Sequence, residues 1–236
     1  MRTCFLRTTS DEKSLMRNHW RIAAFALVVA IARDARAQTA EIDATVIDQQ
    51  GRPVADAVVV AMPSDPNVRL PAKPRDDVVD QIDKQFVPKV QVVAAGTAVT
   101  FPNNDHVRHQ VYSFSPAKRF ELPLYAGVPA TPIVFEKPGV VVLGCNIHDW
   151  MIGYIYVSES PYFAKTRADG KAALTNLPPR AYTVRVWHPQ ITLAEEKTRK
   201  TIDVTPGTHA EVTWTLDLKP EASIRRAPVP GQGRRY

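Results

Sequence analysis

Beyond residue 37 no stretch of this chain keeps a helical period. Its apolar residues come instead in short alternating runs, each closed by Gly, Pro, Asn or Asp. Twenty prolines against ten glycines point the same way, because proline breaks helices and sits readily at strand ends and turns. The expected fold is therefore all-β. Glu41–Ile47 reads as the first strand, followed by the turn DQQG and a second run over Ala57–Met62. Residues 63–76 hold four prolines and no pattern, and read as a linker. Residues 77–158 carry a dense series: Phe86–Val93, Ala98–Phe101, His109–Phe114, Ile133–Glu136, Val140–Cys145 and Ile152–Val157. That density suits a small β-sandwich. From Tyr162 onward an Asp-Gly turn, a short strand, a Pro-Pro turn, a strongly alternating strand and Glu211–Leu218 follow, and residues 219–236 read as a disordered Pro- and Arg-rich tail.

The N-terminus reads as an export signal. A basic stretch, Met16–Arg21, precedes the uncharged run Ile22–Ala32 and the A-x-A site Ala35-Arg36-Ala37, which places cleavage before Gln38. The run is short for a membrane span, so an uncleaved anchor is the weaker reading and no span is expected after cleavage. The polar stretch before Met16 reads as an extension from a start site placed too early. Removing residues 1–37 takes away seven of the 30 Lys/Arg and three of the 24 Asp/Glu, which leaves a net charge of +2. A nucleic-acid-binding patch is not supported by that balance. Cys4 leaves with the signal, so Cys145 is the sole cysteine of the mature chain. In an oxidising periplasm it cannot form an internal disulfide, and metal ligation would protect it.

Cys145-Asn-Ile-His148-Asp-Trp-Met151 places a thiolate, an imidazole and a thioether within seven residues, just after an apolar strand. Such donors favour a soft or borderline metal such as copper. Asn146 and Asp149 suit the turn that lets Cys145 and His148 face one ion. A fourth ligand must come from elsewhere. His109 opens the strand HQVYSF, in which His109, Val111 and Ser113 share a face. Two histidines and a cysteine with a weak axial methionine make the blue-copper arrangement. A bland reading competes with this: C-x-x-H arises by chance, Met151 can simply pack, and His109 can be a surface residue. The joint occurrence of all four favours the metal. His106, three residues before His109, is the rival first histidine, and His188 and His209 read as packing or surface residues.

Residues 77–158 resemble a cupredoxin, a Greek-key β-sandwich of the amicyanin and plastocyanin kind. C-x-x-H-x-x-M matches amicyanin's short ligand loop, and FPNNDHVRHQVYSF resembles the strand bearing the first histidine. The resemblance implies one type 1 copper held by His109, Cys145, His148 and Met151, with Gln110, Ile147 and Asn104 beside the ligands. Gln110 stands where the family often has an asparagine that ties the ligand loops. Ile147 stands where amicyanin has proline, and its N–H is expected to donate to the Cys145 sulfur and raise the reduction potential. Residues 39–62 and 162–218 resemble carboxypeptidase regulatory-like, transthyretin-like domains, with Arg180 where that family has glycine. The expected organisation is a discontinuous sandwich, 39–75 and 161–218, with a cupredoxin domain, 76–160, inserted between its strands. Two unrelated flanks are the alternative, but neither has enough strands to bury a core.

The function expected is one-electron transfer in the periplasm, with a c-type cytochrome or a periplasmic dehydrogenase as transient partner. The amicyanin resemblance implies a place in methylamine oxidation (methylamine utilization). Ile147 and Trp150 are candidate docking residues, though Trp150 can equally pack beneath the loop. Copper delivery without electron transfer is the alternative function, and a scaffold that has lost its metal is a third. No catalytic residues are expected and the chain does not read as an enzyme, because four ligands fill the metal and leave no open position.

Overall fold

The computed structural model describes residues 39–71, 75–129 and 131–220, so the proposed signal segment 1–37 and the tail beyond residue 220 lie outside the described residues. The first strands are β1 (Ala40–Asp48) and β2 (Val58–Pro63). The middle of the chain carries β3 (Asp76–Val78), β4 (Asp80–Ile82), β5 (Gln85–Val87), β6 (Val90–Ala94), β7 (Thr97–Thr100), β8 (His109–Ser115), β9 (Lys118–Tyr125), β10 (Ile133–Phe135), β11 (Gly139–Gly144) and β12 (Ile152–Ser158). The last five are β13 (Phe163–Lys165), β14 (Lys171–Leu177), β15 (Arg180–Trp187), β16 (Lys200–Val204) and β17 (His209–Leu216). One short 3-10 turn, Glu195–Thr198, is the helical element among the described residues. The fold is all-β.

Strand pairing divides these elements into two groups. β1 lies between β14 and β17, and β2 lies between β13 and β15, with β16 beyond β15. Every strand in these two sheets comes from residues 40–63 or 163–216. The sheets enclose a core of Ile42, Val46, Val59, Tyr182, Val184 and Trp214. The middle strands form a five-stranded sheet, β6-β12-β11-β8-β9, a facing sheet, β10-β7-β3, and the hairpin β4-β5. Between them lie Val99, Phe101, Val111, Phe135, Leu143 and Ile155. Each group is thus a sandwich in which one residue of every two points inward. β1 shows that period directly, buried and half-buried residues alternating along its whole length.

β2 breaks the alternation for a physical reason. Val59 and Ala61 face the core of their own sandwich, while Val58 and Val60 pack against Val90 and Tyr156 of the other. A strand covered on both faces reads as a continuous apolar run. Trp187 joins this contact, with its ring centroid 5.5 Å from that of Tyr156. Arg185, on β15, adds ion pairs to Glu159 and Glu195, and Tyr156 donates its hydroxyl hydrogen to Glu195. The two sandwiches therefore meet through an apolar patch edged by a charged cluster. The Asp-Gly turn has its own constraint: Gly170 stands at φ +72°, and a Cβ there would meet the Val46 carbonyl oxygen at 2.5 Å.

The structure departs from the expected strands in two places. The run expected over Phe86–Val93 is two strands, β5 and β6, divided around Pro88, whose missing N–H cannot serve a ladder. The edge strand β9 and the short strands β3, β4, β13 and β16 have no separate counterpart in the sequence pattern.

Candidate metal centre

The pairing of β11 with β12, Gly144 opposite Ile152, closes a hairpin whose loop is residues 145–151. The loop folds back on itself through a Met151 N–H bond to the His148 carbonyl at 2.9 Å. β8 lies on the other side of β11, with Tyr112 opposite Gly144, so the start of β8 stands beside the loop. This register brings His109 to Cys145 although 36 residues separate them. His109, Val111 and Ser113 point inward, as strand alternation requires.

The donor atoms converge. Cys145 Sγ lies 3.7 Å from His109 Nδ1 and 4.0 Å from His148 Nδ1. The three ligand atoms are mutually within 4.8 Å. His109 is fully buried, Cys145 is 3% exposed and His148 is half-buried. Met151 is buried in the same apolar cluster as Cys145. The His109 and His148 rings lie 4.9 Å apart, and Trp150 stands 5.1 Å beyond His148. Two imidazoles and one sulfur, grouped at the end of a sandwich beside a buried thioether, suit a soft or borderline ion. The rival His106 is exposed and stands outside the three-residue group. His188 and His209 belong to the other sandwich; His209 lies beside Asp43 and Glu41.

One contributor escaped the sequence reading. Asp105 Oδ2 lies 2.9 Å from His109 Nε2. With Nε2–H donating to that carboxylate, Nδ1 keeps its lone pair toward Cys145. The carboxylate also accepts the Lys84 N–H at 2.7 Å and the His106 N–H at 2.8 Å. Burial pushes the Asp105 carboxyl up, but the bonds from His109, Lys84 and His106 outweigh it and hold the group below its usual value. The available signal was a carboxylate four residues before a strand-opening histidine. For His148, burial first, then the neighbouring His109 and Lys84, hold the ring below the usual imidazole value, with Asp105 opposing. A neutral ring is the form that binds a metal.

The neighbours expected beside the ligands point elsewhere in part. Gln110 donates to Glu121 at 2.6 Å on the outer side of β8, and Asn104 donates to Asp80 at 2.7 Å. Asn103 braces the loop before His109, donating to the Val107 and Tyr125 carbonyls and accepting the Asp105 N–H. Ile147 is 56% exposed on the loop rim, and Trp150 is half-buried against His148.

No family model matches the sequence, and no curated protein matches it. Solved structures do. A purple cupredoxin from Nitrosopumilus maritimus is 25% identical over 36% of this chain and 100% of that chain, with a TM-score of 0.31. The copper-containing nitrite reductase of Thermus scotoductus SA-01 is 28% identical over 42% of this chain and 25% of its own, at 0.34. An oxidized mutant of amicyanin is 21% identical over 34% of this chain and 80% of its own, at 0.32.

Proposed function

We propose that this chain is an exported type 1 copper protein that passes single electrons between periplasmic redox partners. The convergence of His109 Nδ1, His148 Nδ1 and Cys145 Sγ, with Met151 buried beside them, carries the reading. When bound, copper would supply a one-electron couple. The chain's own residues would hold it: His109, His148 and Cys145 as the strong donors and Met151 as a weaker thioether donor. A ligand set anchored by two strands and a short loop favours electron transfer, because it keeps one geometry in both oxidation states. Near-complete burial of His109, Cys145 and Met151 favours retention over delivery, since a delivery site must open to a receiving protein.

Residues 76–160 are read as the copper domain, and residues 39–75 with 161–218 as a carboxypeptidase regulatory-like, transthyretin-like carrier. Support comes from strands before residue 64 pairing with strands after residue 162. Among the described residues no helix is long and apolar enough to cross a membrane. Export rests on the N-terminal sequence. A c-type cytochrome or a periplasmic dehydrogenase, including one that oxidises methylamine, is the partner class this function requires. Ile147 and Trp150, beside the half-buried His148, would form the contact.

The test is a titration of the purified mature chain with Cu(II). One equivalent should produce an intense thiolate-to-copper band in the visible, absent in Cys145→Ser. Colourless binding of Cu(I) alone would favour delivery, and no binding would sink both readings.

A further inference from the structure

We infer that the Asp105 carboxylate is a positioning residue that biases the site toward Cu(II), doing so through the far nitrogen of His109. The inference rests on the copper reading above and extends it to what sets the oxidation-state preference.

The geometry is over-determined. The His109 side chain is fully buried and that of Asp105 is 8% exposed, with Nε2 and Oδ2 2.9 Å apart. One carboxylate oxygen takes the Lys84 N–H as well, and the other takes the His106 N–H. Lys84 belongs to the Asp83-Lys84 turn between β4 and β5, where both residues stand at positive φ, the mark of a tight hairpin turn. The backbone N–H of Asp105 donates to Asn103 Oδ1 at 3.0 Å, and Asn103, 4% exposed, is itself bonded to the Val107 and Tyr125 carbonyls. These bonds together hold the carboxylate against the imidazole.

Two consequences follow from an anion at this place. It fixes the ring as the tautomer with Nδ1 bare, so the nitrogen facing Cys145 is ready to donate. It also adds a negative charge inside a water-poor site, where a charge interacts more strongly with the more positive ion. A neutral oxygen in the same position would hold the ring equally well but would lack that preference. Asp105→Asn removes the charge and keeps one oxygen to accept from His109 Nε2 and the Lys84 N–H, while the bond from the His106 N–H to the other oxygen is lost because an amide nitrogen cannot accept it.

The experiment compares the full mature chain with its Asp105→Asn and Asp105→Glu variants. Cu(II) and Cu(I) affinities are measured by competition with chelators, and midpoint potentials by voltammetry. Asp105→Asn should lose Cu(II) affinity by about tenfold, the usual scale for a partner of a metal-bound histidine, with a smaller loss for Cu(I). If Cu(I) affinity is unchanged, a tenfold loss raises the midpoint by about 59 mV. Asp105→Glu, which keeps the charge, should stay closer to the wild type. A Cu(II)-to-Cu(I) preference unchanged in Asp105→Asn, or a lowered midpoint, overturns the inference while leaving the copper reading intact. A wild type without the thiolate-to-copper band sinks the copper reading itself. Should Asp105→Asn fail to fold, Asp105→Ser, which also keeps an oxygen and drops the charge, is measured in the same way, and a Cu(II)-to-Cu(I) preference equal to the wild type's overturns the inference.

Discussion

Replacing Gly144 with alanine forces a choice on the strand end that carries Cys145. A Cβ built on Gly144 would lie 2.7 Å from Tyr112 Cζ, 2.8 Å from its hydroxyl oxygen and 3.0 Å from Cε2. Carbon atoms in ordinary contact stand about 3.5–4.0 Å apart, so the ring or the strand must yield by nearly an ångström. If the ring yields, Tyr112 gives up its contact with Phe114, whose centroid is 5.2 Å away, at roughly 0.5–1.5 kcal/mol. If the strand yields, the overpacking costs about 1–3 kcal/mol. Alanine recovers about 0.4–1 kcal/mol by restricting the unfolded chain. The net expectation is a loss of about 0–1 kcal/mol if the ring yields and about 0–2.5 kcal/mol if the strand does, and at roughly 2–4 °C per kcal/mol for a chain of this size, a thermal midpoint lower by up to about 10 °C. Thermal unfolding of the metal-free protein measures this. The same substitution in a Tyr112→Ala background should cost nothing, because the clashing ring is gone. An equal change in both backgrounds refutes the reasoning.

Ile147→Pro removes the N–H expected to donate to the Cys145 sulfur and should lower the midpoint potential by voltammetry; an equal or higher potential counts against that bond. His148 is held below the usual imidazole value of 6.5, so below that pH the unfolded chain binds more protons there than the folded one. Stability of the metal-free protein should therefore rise with pH through the window below 6.5 and level off above it. Denaturation between about pH 5 and 7 should show a shallower rise in His148→Gln, and identical slopes would contradict the assignment. Arg185→Ala strips the cation from Glu159 and Glu195, whose side chains are 33% and 21% exposed. The loss in chemical denaturation should be about 2–3 kcal/mol, less than for a fully buried pair because both glutamates keep some solvent. A change under about 0.5 kcal/mol would show that the cluster is solvated surface.

The convergence of His109, Cys145 and His148 was legible because their chemistry is rare in sequence. A thiolate, an imidazole and a thioether seldom fall so close together after an apolar strand unless they share a metal, and alternation alone put His109 on the inward face. Asp105 was hidden because an acidic residue in an Asn- and Pro-rich turn is ordinary, and only the folded loop shows it bonded to a buried ring. The resemblance implies a tying role for Gln110 after His109, yet strand alternation turns it outward to Glu121. Long strands such as β1 declare their period. Three-residue strands such as β3 and β4 are too short to show one and exist because a neighbour pairs with them. β9 was obscured by Pro123 and its charges, which protect an edge strand while weakening its signature.

The pairing of β1 with β17 joins Glu41 to His209 and Asp48 to Leu216, so the outer sandwich is completed only when nearly the whole chain is present. Phe163 sits opposite Val60, which means the middle segment leaves and re-enters that sandwich at neighbouring points. Unstructured, this excursion of roughly a hundred residues would make closure costly in chain entropy. Folded first, the middle sandwich delivers its two ends side by side and turns a distant encounter into a local one. Assembly from the centre outward is therefore the route with the smaller closure entropy, and on that route a fault in the middle sandwich would be felt as a failure of the outer one to close.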